Sequence, residues 1–201
     1  MITKAISLVL TPFLLINFAF ASGKMAAKKV DYKVNSKSSK LQWTGKKVTG
    51  KHSGLINLTS GELKFDGKDL VGGQFEIDMT SIVVTDLTGE YKGKLEGHLK
   101  ADDFFGVAKH KKAKLKIKDV QFGKGGHYDV FAELTIKGIT KPISFKADVT
   151  NSDKAATAKA KIVFNRTDFG IKYKSGKFFK SLGDKLIYDE VELLVKLVAS
   201  K

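Results

Sequence analysis

The 201-residue sequence predicts an all-β fold: an eight-stranded antiparallel β-barrel with one short helix inserted mid-chain. Two observations carry this. Around the stretch LTIKGITKPISF, Val130, Ala132, Leu134 and Ile136 alternate with Phe131, Glu133, Thr135 and Lys137, and Ile143, Phe145, Ala147 and Val149 alternate with Ser144, Lys146 and Asp148. A period of two places each set on one face of a pleated sheet, so this is a hairpin with one dry face. The same alternation recurs along the chain, and only one stretch has helical spacing. Strands with one dry face need closure or a second layer. With one helix available as a cover, a closed barrel is preferred to a two-sheet sandwich. The hairpin turn is expected around Gly138, Thr140 and Pro142, because proline lacks an N–H and suits a turn or a strand start.

In chain order, residues 22–39 read as a flexible lysine- and serine-rich lead-in, within which Tyr32 and Val34 could begin a strand, and residues 40–199 as the barrel domain. Leu41–Val48 is a strand carrying the sole tryptophan, Trp43, and Gly50–Gly54 breaks it. Leu55–Phe65 is the next strand, bent at Gly61, and Asp66-Gly67 signals a turn. Val71, Gly73, Phe75, Ile77 and Met79 give a clear alternation, extended through Ser81–Thr85. Tyr91, Leu95 and Leu99 are four apart and share a helical face over Tyr91–Ala101, weakened by Gly93 and Gly97. Asp102–Phe105 is a turn with two aromatics available to plug a core. Ala113, Leu115 and Ile117 alternate with lysines, and Gly123–Gly126 is a loop before the hairpin. Asn151–Lys154 is a turn. Ala156, Ala158, Ala160, Ile162 and Phe164 line the next strand. Asn165–Lys185 is irregular, and the last strand, Tyr188–Val198, turns Val191, Leu193, Val195 and Leu197 inward.

Lys4, the apolar run Ala5–Phe18 and Ala19-Phe20-Ala21 describe a secretory signal peptide over residues 1–21, cleaved after Ala21. The run is short for a membrane span, which needs about 20 residues; an uncleaved anchor is the alternative. Ser22, not cysteine, follows the site, which excludes a lipid-modified N-terminus. The expected location is therefore periplasmic or secreted. With no cysteine, the fold relies on core burial and strand pairing, and thiol chemistry is excluded. The net charge is +15, nearly all from lysine, Arg166 being the only arginine. Lysine is a solvated point charge, whereas base and phosphate recognition favours arginine forks. The charge thus argues for attraction to anionic surfaces and against a nucleic-acid partner.

Catalytic patterns are sparse. No two of His52, His98, His110 and His127 sit at a zinc-ligand spacing. His98 with Asp102 and Asp103 is the one nitrogen–oxygen cluster that could serve a metal or acid–base centre; the plainer reading is a histidine at a helix C-terminus beside a capping turn. His52-Ser53 lacks a nucleophile elbow. Asp168-Phe169-Gly170 matches a kinase triplet without its companions. Gly123-Lys124-Gly125-Gly126 opens no helix. The lysines of Lys109–Lys118 read as a solvated strand face, or as a patch for anionic lipid head groups.

Trp43-Thr44-Gly45, Gly54, Gly61, Gly73-x-Phe75-x-Ile77, Ser81-Ile82 and Gly97-His98-Leu99-Lys100 occur here in an order that resembles the YceI family. Asp102–Phe105, Leu134–Thr140, Asn165–Gly170 and Asp189-x-Val191 fit the same pattern, which spans Leu41–Val198. The resemblance implies a lipocalin-like barrel, exported to the periplasm, that binds a polyisoprenoid or similar amphiphilic chain without catalysis and without a cofactor. The chain departs from the family at Phe131-Ala132, where glycine is common, and at Asn165, where aspartate is usual.

The physics is compatible with a ligand. An eight-stranded barrel either fills with side chains or holds one small ligand, and Gly73, Ala132, Ala147, Ala156, Ala158 and Ala160 are small inward positions. A chain of about 40 carbons, at roughly 0.3 kcal/mol per heavy atom, would gain about 12 kcal/mol. Strand parity nominates Phe75, Ile77, Leu134, Ile136, Phe145, Phe164, Val191 and Leu193 as the lining, and Trp43 is counted with them. The expectation is a non-catalytic carrier or sink for a long-chain lipid. The alternatives are an enzyme centred on His98, Asp102 and Asp103, and a basic module docking to an anionic membrane.

Overall fold

Lys137 and Gly138 both adopt positive φ, 51° and 76°, and join Ile136 directly to Ile139 in a two-residue hairpin. Two positive φ values in succession match the right-handed twist of the strands they link. The computed structural model that contains this turn describes residues 29–123 and 125–201; the predicted signal peptide and its cleavage point lie outside them. The hairpin is tighter than expected, because Thr140 and Pro142 are already strand residues paired with Thr135 and Glu133.

The strands are β1 (Lys29–Val34), β2 (Lys40–Lys47), β3 (Gly50–Asp66), β4 (Asp69–Val84), β5 (Lys112–Phe122), β6 (Tyr128–Ile136), β7 (Ile139–Asn151), β8 (Ala155–Asn165) and β9 (Ile187–Ser200), with α1 (Gly89–Lys100) between β4 and β5. All pairings are antiparallel, and β9 returns to pair with both β8 and β2, closing the sheet. β1 and β2 run in the same direction along β3, opposite Glu62–Asp66 and Gly50–Ile56 respectively, and both also reach β9. They form one stave interrupted at Asn35–Ser39, so nine strands make an eight-stave barrel. The first half of that stave lies in the predicted lead-in and includes Tyr32, which is buried.

Three local expectations are corrected. Gly54 does not break a strand: it sits inside β3, paired with Trp43 and Val84. A Cβ there would collide with the Val83 carbonyl oxygen and lie 2.6 Å from Trp43 Cζ2, so glycine is required by close approach. Val71 is exposed, because the register slips between Lys64 and Phe65 and Leu70 takes the inward place. Tyr91 is exposed as well; α1 buries only Leu99 fully, since a 400° advance over four residues drifts off the contact face.

β7 and β8 pair only from Ala147 to Asn151 and from Ala156 to Ala160. Beyond that they part, and a 3₁₀ turn, Arg166–Phe169, packs against β7. Pro142 lies where β7 has a neighbour on one side only, which is why a strand tolerates it there. Leu63, Phe65, Val130, Phe169 and Ile171 are nearly inaccessible; each such side chain contributes about 1.5–3 kcal/mol of burial.

Candidate ligand-binding interior

The inward faces enclose two cavities stacked along the barrel. One, of about 120 Å³, lies on the helix side and is bounded by Trp43, Ile56, Met79, Leu99, Phe104, Phe105, Leu134, Phe164 and Val191. The other, of about 70 Å³, lies toward the β7–β8 turn among Leu41, Leu58, Phe75, Phe145 and Leu197, with Ala147, Ala158 and Ala160 providing the space. Ile77 and Leu193 stand in both walls. No polar atom is exposed on either wall. Of the predicted lining, Ile136 alone is placed elsewhere: it is buried in the core beside the hairpin turn and reaches neither cavity.

Not every small inward residue leaves space. At Gly73 a Cβ would meet the Glu62 carbonyl oxygen at 2.7 Å and Phe75 Cζ at 3.3 Å, so neighbours already fill that site. The two volumes together resemble a cavity of about 150 Å³ that admits a benzene ring. A long chain therefore enters only if inward side chains give way, Ile77 and Leu193 first.

The helix-side cavity is capped by α1 and the turn after it. Val84 N–H donates to the Glu96 carboxylate at 2.8 Å, tying α1 to β4. His52 Nδ1 lies 2.9 Å from Asp86 Oδ2, and Ser53 N–H donates to Asp86 Oδ1 at 3.0 Å, which fixes the segment leading into α1. Partial burial pushes Asp86 up, but the Ser53 N–H and His52 outweigh it and hold the carboxyl below its ordinary value.

Arg166 is the residue that the strand pattern did not find. It is 1% exposed, and its guanidinium donates to the carbonyls of Ile171, Ile187 and Tyr188 at 2.9–3.2 Å. Nη2 also lies 3.0 Å from Asp189 Oδ1, and the guanidinium stands 5.9 Å from the Phe104 ring centroid. Burial pulls its pKa below the ordinary value and Asp189 pushes it back, leaving the side chain charged at neutral pH. One signal was available in the sequence: a lone arginine in a lysine-rich chain marks a place where a rigid fork is needed.

The candidate catalytic cluster does not assemble. Asp102 is exposed and paired with Lys109 at 2.7 Å, which lowers its pKa. Asp103 is 4.0 Å from His98 Nδ1, and the His98 ring packs against Tyr173 and Phe104. Among the described residues no three His, Cys, Asp or Glu side chains are grouped to hold a metal. Asp168 is exposed on the 3₁₀ turn. The lysine ladder is partly neutralised across strands: Lys112 and Lys114 reach Glu76 and Lys118 reaches Glu133.

A family model described as a YceI-like domain matches residues 32–199. A UPF0312 protein of Shewanella denitrificans is 28% identical over 129 residues, 61% of this chain and 65% of that protein, so the chain spans under two thirds of the relative's length. Among solved structures, BcnA of Burkholderia cenocepacia superposes with a TM-score of 0.67 at 22% identity, covering 83% of this chain and 99% of that one. A polyisoprenoid-binding domain from Saccharophagus degradans, implicated in plant cell wall breakdown, gives 0.63 at 18% identity, covering 84% and 97%. At these identities the structural likeness establishes the fold, a lipocalin-like barrel.

Proposed function

The chain belongs to the YceI-like family, and from that premise we propose that it binds a long apolar chain, of polyisoprenoid or fatty type, inside its barrel. The observation that carries the proposal is the pair of cavities that share Ile77 and Leu193 as a common wall and expose no polar atom. Such walls favour methylene and methyl groups and penalise any buried charge or unpaired hydrogen-bonding group. A charged or strongly polar head is therefore left outside. The polyisoprenoid-binding domain with the same fold supports this ligand class.

The role is binding without chemistry, as a periplasmic carrier or sink. The exposure of Asp102 and its pairing with Lys109, away from His98, support that over the enzyme reading, since an acid and a base must converge on one reacting centre. Export follows from the predicted signal peptide. The lining proposed is Trp43, Phe75, Ile77, Leu134, Phe145, Phe164, Val191 and Leu193.

Native mass spectrometry of protein purified from its own host's periplasm tests the reading. The expected spectrum contains a non-covalent adduct that extracts into organic solvent as a chain lipid. Protein that is always unloaded, and that takes up no prenol or fatty chain when offered one, would sink it.

A further inference from the structure

The segment after the 3₁₀ turn is held firmly at its base and bare at its tip. Ser175 is fully buried and donates to Asp189 Oδ2 at 2.9 Å, Ile187 N–H donates to the Lys174 carbonyl at 3.0 Å, and Tyr173 packs on His98 at 4.3 Å between ring centroids. Lys174 takes a positive φ of 46°, a strained conformation for a residue with a side chain, which the surrounding contacts must maintain. From Gly176 to Ser181 every residue is exposed, and Phe178 and Phe179 are 42% and 49% accessible. Two adjacent bare phenylalanines on an anchored loop would be a solubility liability in an isolated soluble protein.

The charge around them is one-sided. Lys172, Lys174, Lys177 and Lys180 flank the pair, and the contacts of three of them are with rings: Lys172 and Lys177 stand 4.9 and 5.8 Å from the Phe178 centroid, Lys174 5.1 Å from that of Tyr173. Lys112, Lys114 and Lys118 of β5 differ, because carboxylates on β4 and β6 already engage them. Aromatic rings that enter the acyl boundary, ringed by lysines that meet head groups, are the composition of an interfacial membrane anchor.

We propose that the loop of residues 172–182 docks this end of the barrel on a bilayer rich in anionic lipid, Phe178 and Phe179 entering the interface and the lysines pairing with the head groups. An anionic bilayer is the occupant because the loop combines charge with apolar tips; a purely acidic protein surface would use the lysines and leave the rings wet. The docking stands whether or not a chain enters the barrel, so its test needs no cargo.

Flotation with vesicles of phosphatidylglycerol and phosphatidylcholine, against phosphatidylcholine alone, measures it on the folded protein. Selective association with the anionic vesicles is expected, weakened about tenfold or more by Phe178→Ser with Phe179→Ser. The emission added by Phe179→Trp should shift to the blue on binding. These side chains are exposed, so circular dichroism should be unchanged. No association, association that the double substitution leaves intact, or an unshifted emission would overturn the proposal.

Discussion

Ile77 on β4 and Leu193 on β9 are shared by the walls of both interior cavities, one toward the helix and one toward the β7–β8 turn. They form the wall common to the two cavities. The interior is nearly packed, and these two side chains decide whether two small voids become one tract. Replacing either by alanine should cost about 2–5 kcal/mol in denaturant unfolding. The same change should tighten binding of a long prenol or fatty chain, because a side chain no longer has to be displaced. Weaker binding in proportion to lost stability would assign both residues to packing alone.

Ala158 supplies part of the turn-side space together with Ala147 and Ala160. Ala158→Phe should fill that cavity, cost about 1–3 kcal/mol through overpacking, and shorten the longest chain the barrel accepts. Titration with a series of chain lengths reads this as a lost preference for the longer members.

Arg166 holds three carbonyls and faces Asp189 across 3.0 Å. Arg166→Ala leaves three carbonyls without their donor and Asp189 without its counter-charge, and equilibrium unfolding should report a loss of about 3–5 kcal/mol. Arg166→Lys should recover little, because a point charge cannot serve carbonyls that the planar fork spans. Recovery by lysine to near the parent stability would show that charge alone matters there.

Asp86 gives a pH dependence with a definite sign. Its folded-state pKa is lowered, so the folded state favours the ionised form. The stabilisation is complete above the ordinary aspartate value of about 3.9 and is lost as pH falls through the lowered folded-state value. Asp86→Asn should therefore be less stable than the parent at pH 6, and the gap should close in acid. A gap that is constant from pH 6 to pH 2 would remove the carboxylate charge from the account.

Much of the barrel was legible because parity is legible. Val130, Ala132, Leu134 and Ile136 are inward, as are Ala156, Ala158 and Ile162. The misses fall where parity is interrupted or where close approach, depth or distant partners decide. Val71 is read as inward until the slip at Lys64 and Phe65 reverses the phase. Gly54 reads as a breaker, because no local pattern announces that Trp43 and Val83 occupy its Cβ position. Ile136 has the right parity, and only its height along the barrel keeps it from the cavities. Arg166 was visible as a lone arginine but its partners were not, since the carbonyls of Ile187 and Tyr188 come from a segment about twenty residues later.

Trp43 permits a direct test of the central claim, since it is the sole tryptophan and stands in the wall of the helix-side cavity. Titration with fatty chains brominated at successive positions should quench its emission strongly at one span of positions, with little response to salt. Saturable binding of those chains with Trp43 emission unquenched at every bromine position would place the lipid outside the barrel and contradict the account.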